Sequence, residues 1–421
     1  MNDLSRIAGF PVRIDPLANP LDALLADIAI LVQLPPGLHA KSGRRYAAIH
    51  AFACRPGSPL AGIIVQFYAQ GSMAIDATNS TRGTDNEYDL DAVLEALWPP
   101  GTTPAEALNK LWLALRDYPC KKVVRQSRCV TIQYADGMHV DVTPSRRIPQ
   151  TGEFESAIFH AKPGTHASTH AEIPMNAYGF AGWYNGRTPD EEWFAAAYMQ
   201  RMAEDMRLLS KAESVIHDLP EQTPFSRKSV TTVALQLNKR FRDIWSLDKP
   251  GRYPPSVMLS CHAGHAAKPG LTLSEMVMRQ ALWTARAIDD AAGIGRLLDV
   301  RNPKMQEDRF TDRWPENQAQ QVGFSGALRA LAGGLDAIRR GEVELEDAQD
   351  WLRERFGPSV VSRSIETMNE RNGRALGSRA HGYSRKGGLY VPAAPAIITG
   401  AASLVSNVPA RAHTNMGDRR P

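Results

Sequence analysis

Three short stretches of the sequence decide the fold: residues 61–72 (AGIIVQFYAQGS), residues 88–91 (YDLD) and residues 138–142 (MHVDV). The first is dense in β-branched and aromatic residues and ends at a Gly-Ser pair, a pattern typical of a buried strand that enters a tight turn. The second alternates apolar and acidic residues, as a strand does. The third follows CVTIQY (residues 129–134) after an Ala-Asp-Gly turn, and the two together predict a β-hairpin.

The acidic residues of these strands are spaced so that they face one cavity. In a strand, residues i and i+2 point to the same side, so Asp89 and Asp91 present their carboxylates together. Asp141 lies on the hairpin and can join them from a neighbouring strand. Three converging carboxylates repel one another unless divalent cations lie between them. Oxygen ligands of this kind suit Mg²⁺ or Mn²⁺, and two such ions about 4 Å apart promote in-line nucleotidyl transfer.

The turn formed by Gly71 and Ser72 fits the same chemistry. A glycine lets the backbone approach a phosphate closely, and a serine hydroxyl with its neighbouring amides can donate hydrogen bonds to phosphate oxygens. Each pattern is common by itself, because a pair of aspartates on a strand is usually a solvated face. The order of the three patterns along the chain favours a nucleotidyltransferase site.

Helical patterns dominate the chain beyond about residue 165. Apolar residues recur at helical spacing in 190–217, 230–245, 273–298, 324–340 and 345–356. The same spacing predicts earlier helices over 21–32, 44–53 and 104–116, and a helix-like run directly after Asp91.

We therefore predict an α+β fold with two lobes. A nucleotidyltransferase core of mixed β-sheet and helices is expected over residues 1–165, including the N-terminal helices, and an α-helical lobe over residues 166–375. Residues 376–421 form a basic tail rich in Pro, Gly and Ala. The active site is expected in the cleft between the two lobes.

The charge of the chain argues against a protein that wraps long nucleic acid. The 421 residues carry a net charge of +4, which is too small a bias to hold such a partner by phosphate neutralisation alone. Residues 375–421 hold six basic groups and one acidic group, so the basic excess lies in the tail. Four cysteines without a CxxC pair favour reduced thiols in the cytoplasm.

Neither membrane insertion nor export is expected. Residues 389–410 carry no charge, but their three prolines and many small residues argue against a spanning helix. The first twenty residues contain two acids and three prolines and lack the unbroken apolar run of a signal peptide.

Two other groups of residues suit alternative roles. The Cys-His-Ala-Gly-His stretch at residues 261–265 could supply three zinc ligands, but no fourth ligand has the right spacing, so packing is favoured. Tyr178, Trp183 and Tyr184 could stack a nucleotide base in the cleft, or could equally pack between the lobes.

Taken together, these motifs resemble those of a known enzyme family. QGSMAIDATNSTRGTDNEYDLD (residues 70–91) followed by HVDVTP (residues 139–144) resembles the Polβ-type nucleotidyltransferase signature of the bacterial CD-NTases. These are the cGAS- and DncV-like enzymes that make cyclic oligonucleotide second messengers. Similarity to the same family continues in four further segments, residues 175–187, 233–245, 301–314 and 410–417.

The resemblance assigns roles to the residues of the first lobe. Gly71 and Ser72 are expected to hold the triphosphate of the donor nucleotide. Asp89, Asp91 and Asp141 are expected to bind two Mg²⁺ or Mn²⁺ ions and so to form the catalytic centre.

A basic residue of the helical lobe is expected to complete the triphosphate site. Lys239 lies where the family places such a lysine, Arg240 is assigned with it, and Arg242 is a further option. The chain departs from the family at two points. After Gly-Ser the family usually has Ala-x-Gly-Thr, whereas Asp76 here brings a negative charge close to the phosphates, and residues 177–178 replace the usual Pro-Lys.

The resemblance also implies a reaction. NTPs would be joined, with release of pyrophosphate at each step, into a cyclic di- or trinucleotide second messenger, and Asp141 would assist deprotonation of the attacking hydroxyl. In the family such products serve anti-phage signalling by activating a separate effector, and an activating or regulatory protein is a further possible partner. Three alternatives stay open: a linear oligonucleotide synthase, an RNA-directed nucleotidyltransferase, and a non-catalytic nucleotide-binding regulator.

Overall fold

The computed structural model shows two lobes that face each other across a cleft. It describes residues 15–80, 88–149, 152, 154–213 and 227–377, and three two-residue strands at 382–383, 389–390 and 408–409. The predicted basic tail and the uncharged stretch at 389–410 lie almost entirely outside the described residues. Within the described part, no helix is long and apolar enough to cross a membrane.

The described helices and strands follow one another in an order that mixes both types early and is mostly helical later. The helices are α1 (Pro20–Val32), α2 (Pro36–Ala53), α3 (Gly71–Ala74), α4 (Pro104–Leu115), α5 (Ala177–Arg187), α6 (Glu192–Glu213), α7 (Val230–Ser246), α8 (Ser256–Ala266), α9 (Leu273–Gly293), α10 (Gln318–Arg340), α11 (Leu345–Phe356) and α12 (Pro358–Gly377). The strands are β1 (Ile64–Gln70), β2 (Tyr88–Ala96), β3 (Lys122–Arg125), β4 (Val130–Gln133), β5 (Met138–Arg147), β6 (Ser156–His160), β7 (Ala171–Met175), β8 (Arg301–Asn302) and β9 (Met305–Arg309), with β10 (Gly382–Tyr383), β11 (Leu389–Tyr390) and β12 (Val408–Pro409) near the C-terminus.

A seven-stranded mixed sheet forms the first lobe. Its order is β1-β2-β5-β4-β3, and β6 and β7 extend it from the second half of β5. Strands β2 and β5 run parallel, whereas all the other neighbours in this sheet are antiparallel. This mixed sheet with separate helices is the α+β class that the sequence predicted.

One face of the sheet is apolar and carries the core of the first lobe. Leu90 and Val140 alternate with the aspartates along β2 and β5, and they share a buried cluster with Ile49 of α2 and Leu108 of α4. Because successive side chains of a strand point to opposite faces, this packing turns the aspartates toward the other side of the sheet.

The helical lobe has a hydrophobic core of its own, and α1 belongs to it. Leu25 and Ile28 of α1 are fully buried in the same cluster as Leu235 of α7 and Val277 of α9. The predicted division at residue 165 therefore differs from the structure in two respects. The first helix packs with the second lobe, and strand β7, which follows residue 165, completes the sheet of the first lobe.

The predicted helix-like run after Asp91 was wrong. Residues 88–96 form the continuous strand β2, which pairs with β1 on one side and β5 on the other. Pairing on both edges overrides the helical preference of the local sequence. Helix α12 was not predicted, and α2 begins at Pro36, earlier than expected, where a proline suits the first turn of a helix.

Candidate active site

Strands β2 and β5 bring the three predicted carboxylates to one edge of the cleft. Asp91 lies directly opposite Asp141 in the parallel ladder, and Asp89 lies opposite His139. The burial of β2 alternates in this region, with the aspartates partly exposed and the leucine between them buried. All three aspartates line a cleft of about 850 Å³ between the lobes.

Two of these carboxylates have pKa values above the usual range of aspartate. Burial, followed by the charges of Asp141 and Asp89, raises the pKa of Asp91 to about 7. Burial also raises the pKa of Asp141, although one of its oxygens accepts a hydrogen bond of 2.5 Å from the Thr131 hydroxyl. The negative charges of the neighbouring carboxylates thus add to the effect of burial on Asp91.

Gly71 directly follows strand β1 as the first residue of the single-turn helix α3, and it lies beside the carboxylate of Asp91. Its φ of +61° falls in the left-handed region that favours glycine. A Cβ atom at this position would lie 2.5 Å from Oδ2 of Asp91. The glycine is therefore required both by the backbone conformation and by the close approach of the turn to the aspartate.

Lys239 reaches the Gly-Ser turn from helix α7 of the other lobe. Its Nζ atom donates to Oγ of Ser72 at 2.6 Å and to the carbonyl of Ala77 at 2.7 Å. Burial, and then the charge of Arg242, lower the pKa of this lysine to about 7. Lys239, Gly71 and Ser72 all line the cleft.

The assignment of Arg240 to nucleotide binding was wrong. This side chain is only 1% exposed, and its Nε atom donates to the carbonyl of Phe356 at 2.9 Å. Adjacent residues of a helix point about 100° apart, so Arg240 faces the core when Lys239 faces the cleft. Arg242 does line the cleft, where it pairs with Asp243 and donates to Ser256.

Two cleft arginines were missed by the sequence analysis. Arg128, in the turn between β3 and β4, forms an ion pair with Asp312 of the helical lobe, and Arg313 donates to Ser127 at 3.1 Å. Both arginines line the cleft. No local pattern marks them, because they come from segments far apart in the sequence that only the lobe arrangement brings together.

A buried polar contact fixes the junction between β7 and α5. Asp308 accepts from the backbone amide of Asn176 at 3.1 Å, and Asn302 donates to the carbonyl of the same asparagine at 2.8 Å. Asn302 also donates to Asp308 at 2.9 Å. The β8-β9 hairpin of the helical lobe thereby holds the start of α5 at the edge of the cleft.

The three aromatic candidates for base stacking occupy different environments. Tyr184 is fully buried, and its hydroxyl lies 3.3 Å from that of Thr232, so it packs between elements and does not reach a base. Trp183 packs against Gly264 of α8. Tyr178 is 54% exposed and stacks on Phe154 with ring centroids 3.9 Å apart.

The Cys-His-Ala-Gly-His stretch at residues 261–265 lies on helix α8. His262 is buried and its Nδ1 atom lies 3.1 Å from the Thr284 hydroxyl, while the ring of His265 stacks on Trp283 and is tilted against Trp183. These contacts give the two histidines packing roles.

The donor set of the cleft fits a divalent metal ion. Asp89, Asp91 and Asp141 provide hard oxygen ligands, and a cation would offset the two neighbouring negative charges that, after burial, raise the pKa of Asp91. In the described part of the chain, no group of three or more His, Cys, Asp or Glu side chains is arranged to hold a metal ion as it stands. Two contacts engage these oxygens: the Thr131 hydroxyl donates to Asp141, and Nδ1 of His139 lies 3.6 Å from Oδ1 of Asp89.

Comparisons with known proteins agree with this geometry. A family model described as the nucleotidyltransferase domain of cyclic GMP-AMP synthase DncV-like proteins matches residues 65–144. A cyclic dinucleotide synthase, CdnG of Bradyrhizobium diazoefficiens, is 58% identical over 406 residues, which cover 96% of this chain and 97% of the relative. A c-di-GMP synthase of Roseivirga ehrenbergii is 20% identical over 86% of this chain and 92% of its own.

Solved structures extend the similarity to the whole fold. The structure of the Bradyrhizobium diazoefficiens CD-NTase CdnG in complex with GTP matches with a TM-score of 0.75 and 53% identity, over 84% of this chain and 100% of that chain. The structure of Escherichia coli CdnC with ATP matches with a TM-score of 0.52 and 12% identity, over 81% of this chain and 98% of that chain. The second likeness concerns the fold alone.

Proposed function

The chain belongs to the CD-NTase family of nucleotidyltransferases, and from this premise we propose that it joins two NTPs into a cyclic dinucleotide with release of pyrophosphate. One observation carries the proposal: Asp91 and Asp141 lie side by side on parallel strands, next to the Gly71-Ser72 turn. The 58% identity to a cyclic dinucleotide synthase over nearly the whole chain supports a cyclic product.

We propose GTP as one of the two substrates. The structure of CdnG, whose sequence is 53% identical to this chain in the structural match, was solved in complex with GTP. A more distant relative is a c-di-GMP synthase. The cleft of about 850 Å³ lies within the usual size range of ligand pockets.

Binding of the donor triphosphate is assigned to three residues. Gly71 brings the backbone close to the phosphates, the Ser72 hydroxyl donates to them, and Lys239 supplies the positive charge. The 2.6 Å contact between Lys239 and Ser72 supports this arrangement, since both groups already point to one place. Arg240 takes no part, because its guanidinium lies in the core.

Asp89, Asp91 and Asp141 would hold the divalent ions, Mg²⁺ or Mn²⁺, two to a site. When bound, such ions lower the pKa of an attacking hydroxyl and neutralise the charge of the leaving pyrophosphate. The three carboxylates also orient the reactants, because they lie on rigid neighbouring strands and not on a loop.

Asp141 is placed to take the proton of the attacking hydroxyl. The hydroxyl oxygen of the acceptor ribose forms a bond to the α-phosphorus of the donor, the bond from that phosphorus to the β-phosphate oxygen breaks, and pyrophosphate leaves. The proton passes to the Asp141 carboxylate, which lies directly opposite Asp91 on the neighbouring strand. A second transfer of the same kind closes the ring.

The cellular setting is also a proposal. By its family the product would act as a second messenger that activates a separate effector in anti-phage defence, with a regulatory protein as a further partner. Four free cysteines, dispersed along the chain, support a reducing compartment such as the cytoplasm.

The test is product analysis. The purified chain is incubated with GTP alone and with GTP paired in turn with ATP, CTP and UTP, in Mg²⁺ or Mn²⁺. The mixture is then treated with phosphatase and analysed by mass spectrometry. We expect a phosphatase-resistant product with the mass of a cyclic dinucleotide that contains guanine.

The matched controls separate chemistry from folding. The double variant Asp89→Ala/Asp91→Ala should give no product, whereas Asp347→Ala, which removes an exposed carboxylate of α11, should leave the yield unchanged. Linear products that phosphatase trims would overturn ring closure and favour the oligonucleotide synthase. No product with any NTP pair and either metal, despite GTP binding in calorimetry, would favour the non-catalytic regulator.

A further inference from the structure

The loop that follows the Gly-Ser turn is hydrogen-bonded to the middle of helix α7. Gln236 donates from Nε2 to the carbonyl of Thr78 at 3.0 Å, and Asn79 donates to the carbonyl of Gln236 at 3.3 Å. Lys239 holds the carbonyl of Ala77. These contacts with the helical lobe therefore set the position of the loop, and the sequence analysis did not predict them.

Asp76 occupies the centre of this loop in an unusual conformation. Its φ is +52°, one of two positive values among the described non-glycine residues. Aspartate is one of the few residues that tolerate the left-handed region, and glycine would adopt it more easily. Its neighbours Ile75 and Thr78 line the nucleotide cleft. A carboxylate is thus kept four residues after Ser72, between two residues that line the cleft, at a position where the backbone alone would favour glycine.

A buried lysine lies against this carboxylate. Nζ of Lys228 is 3.6 Å from Oδ1 of Asp76 and donates to Oε1 of Gln236 at 3.2 Å. Lys228 is 6% exposed and directly precedes Ser229, the N-cap of α7. Burial lowers the pKa of the lysine and the Asp76 carboxylate opposes that effect, so the two charges depend on each other.

We propose that Lys228 is a positioning residue for the donor nucleotide, which it serves by neutralising Asp76 and so keeping the phosphate-binding loop free of net negative charge. This inference rests on the proposed function, because it assumes that the Gly71-Ser72 turn binds a triphosphate. It adds a second lysine of the α7 region to the site, one that acts through Asp76 and does not touch the phosphates.

The proposal predicts an asymmetry between the two partners. Removal of the lysine takes one positive charge away from the Asp76 carboxylate, and stronger repulsion between this loop and a highly charged anion weakens binding. Removal of the carboxylate leaves an amine that does not repel the triphosphate, whether the amine is charged or neutral. If the pair only held the loop in place, removal of either the lysine or the carboxylate would weaken nucleotide binding to the same extent.

The experiment compares Lys228→Met, Asp76→Asn and the double variant Lys228→Met/Asp76→Asn with the unaltered chain. The probe is GTP for steady-state rates, and a GTP analogue with a methylene group between the α- and β-phosphorus atoms for calorimetric binding, both with Mg²⁺. Lys268→Met, which removes an exposed lysine beyond α8, is the matched control. Thermal unfolding checks each variant for folding, and Lys228→Gln replaces Lys228→Met if the methionine variant does not fold.

We expect Lys228→Met to raise KM for GTP and Kd for the analogue about tenfold, with kcat within about twofold of the unaltered chain. Asp76→Asn should bind as tightly as the unaltered chain or more tightly. The double variant should recover the affinity that Lys228→Met lost, and Lys228→Arg, which keeps the charge, should retain it throughout. A purely structural role of Lys228 does not predict that the added Asp76→Asn substitution restores the affinity.

Two results would overturn the inference: an unchanged affinity in Lys228→Met, or an equal loss in the single and double variants. The second would mean that the lysine acts independently of Asp76. Failure of the proposed function is a different result, in which the unaltered chain forms no cyclic product. Analogue binding does not require turnover, so the pattern of Kd values still decides the role of Lys228 in that case.

Discussion

The ammonium group of Lys239 lies 2.6 Å from the hydroxyl of Ser72, although 167 positions separate the two residues in the chain. Each belongs to a different lobe, and each lobe has its own hydrophobic core. The contact therefore depends on how the two lobes pack against each other. A triphosphate held by the Gly-Ser turn would meet the positive charge only in this arrangement.

Replacement of Lys239 by methionine should weaken donor binding and leave the chemistry largely intact. The side chain supplies a charge-assisted contact, so we expect KM for GTP to rise roughly 10- to 100-fold. Steady-state kinetics measure the change, with Lys268→Met as the exposed control. A large fall in kcat at unchanged KM would instead place Lys239 in the chemical step.

Replacement of Gly71 by alanine should disable the carboxylate centre. The new Cβ would lie 2.5 Å from Oδ2 of Asp91, and a misplaced catalytic group typically costs about 100-fold in kcat. Gly62→Ala is the matched control, because Gly62 also has a positive φ, of +75°, but has nothing within 4 Å of the added atom. Both variants should lose similar stability from backbone strain. Equal loss of activity in the two would show that strain, and not the contact with Asp91, is responsible.

Acid should destabilise the helical lobe through His262. Burial, followed by the charge of His265, lowers the pKa of His262 from 6.5 to about 4. Above pH 6.5 the imidazole is neutral in both the folded and unfolded states. As the pH falls from 6.5 toward 4, the unfolded chain takes up a proton that the folded chain does not, so stability falls by up to about 1.4 kcal/mol for each pH unit.

The measurement for His262 is the midpoint of thermal unfolding at pH 7 and pH 5. His262→Gln should lose less stability between the two pH values than the unaltered chain does. His39→Gln, which replaces an exposed histidine of α2, should retain the full dependence. An identical pH dependence in all three proteins would contradict the assignment.

A buried ion pair between α1 and α6 should contribute strongly to stability. Arg201 donates to both oxygens of Asp27, at 2.5 and 2.7 Å, and the aspartate is 1% exposed. Arg201→Met leaves Asp27 with Arg371 at 3.2 Å, so we expect a loss of about 3 kcal/mol, at the lower end for a broken buried pair.

The control for Arg201 is an exposed ion pair. Arg252 lies 3.7 Å from Glu316, with both side chains about half exposed, and Arg252→Met should change stability by less than about 1 kcal/mol. Denaturant unfolding monitored by circular dichroism gives both values. Similar losses in the two variants would mean that burial adds little to the pair with Asp27.

The strands and the carboxylates could be predicted from the sequence because the patterns that indicate them are local. Alternation in YDLD and MHVDV fixes which residues share a face, and the Ala-Asp-Gly turn fixes the hairpin. The Gly-Ser pair marks the end of β1 for the same reason. The register between β2 and β5 could not be predicted, because parallel strands are joined by a long connection and no short turn fixes their alignment.

The sequence by itself determined the α+β class, the positions of Asp89, Asp91 and Asp141 on their strands, and the helical character of the second half. Tertiary structure alone decided that Lys239 faces the cleft while Arg240 faces the core, that Arg128 meets Asp312, and that α1 joins the helical lobe. The physical reason is range: periodicity and turn chemistry act between near neighbours, whereas the packing of two separate hydrophobic cores sets which distant residues meet across the cleft.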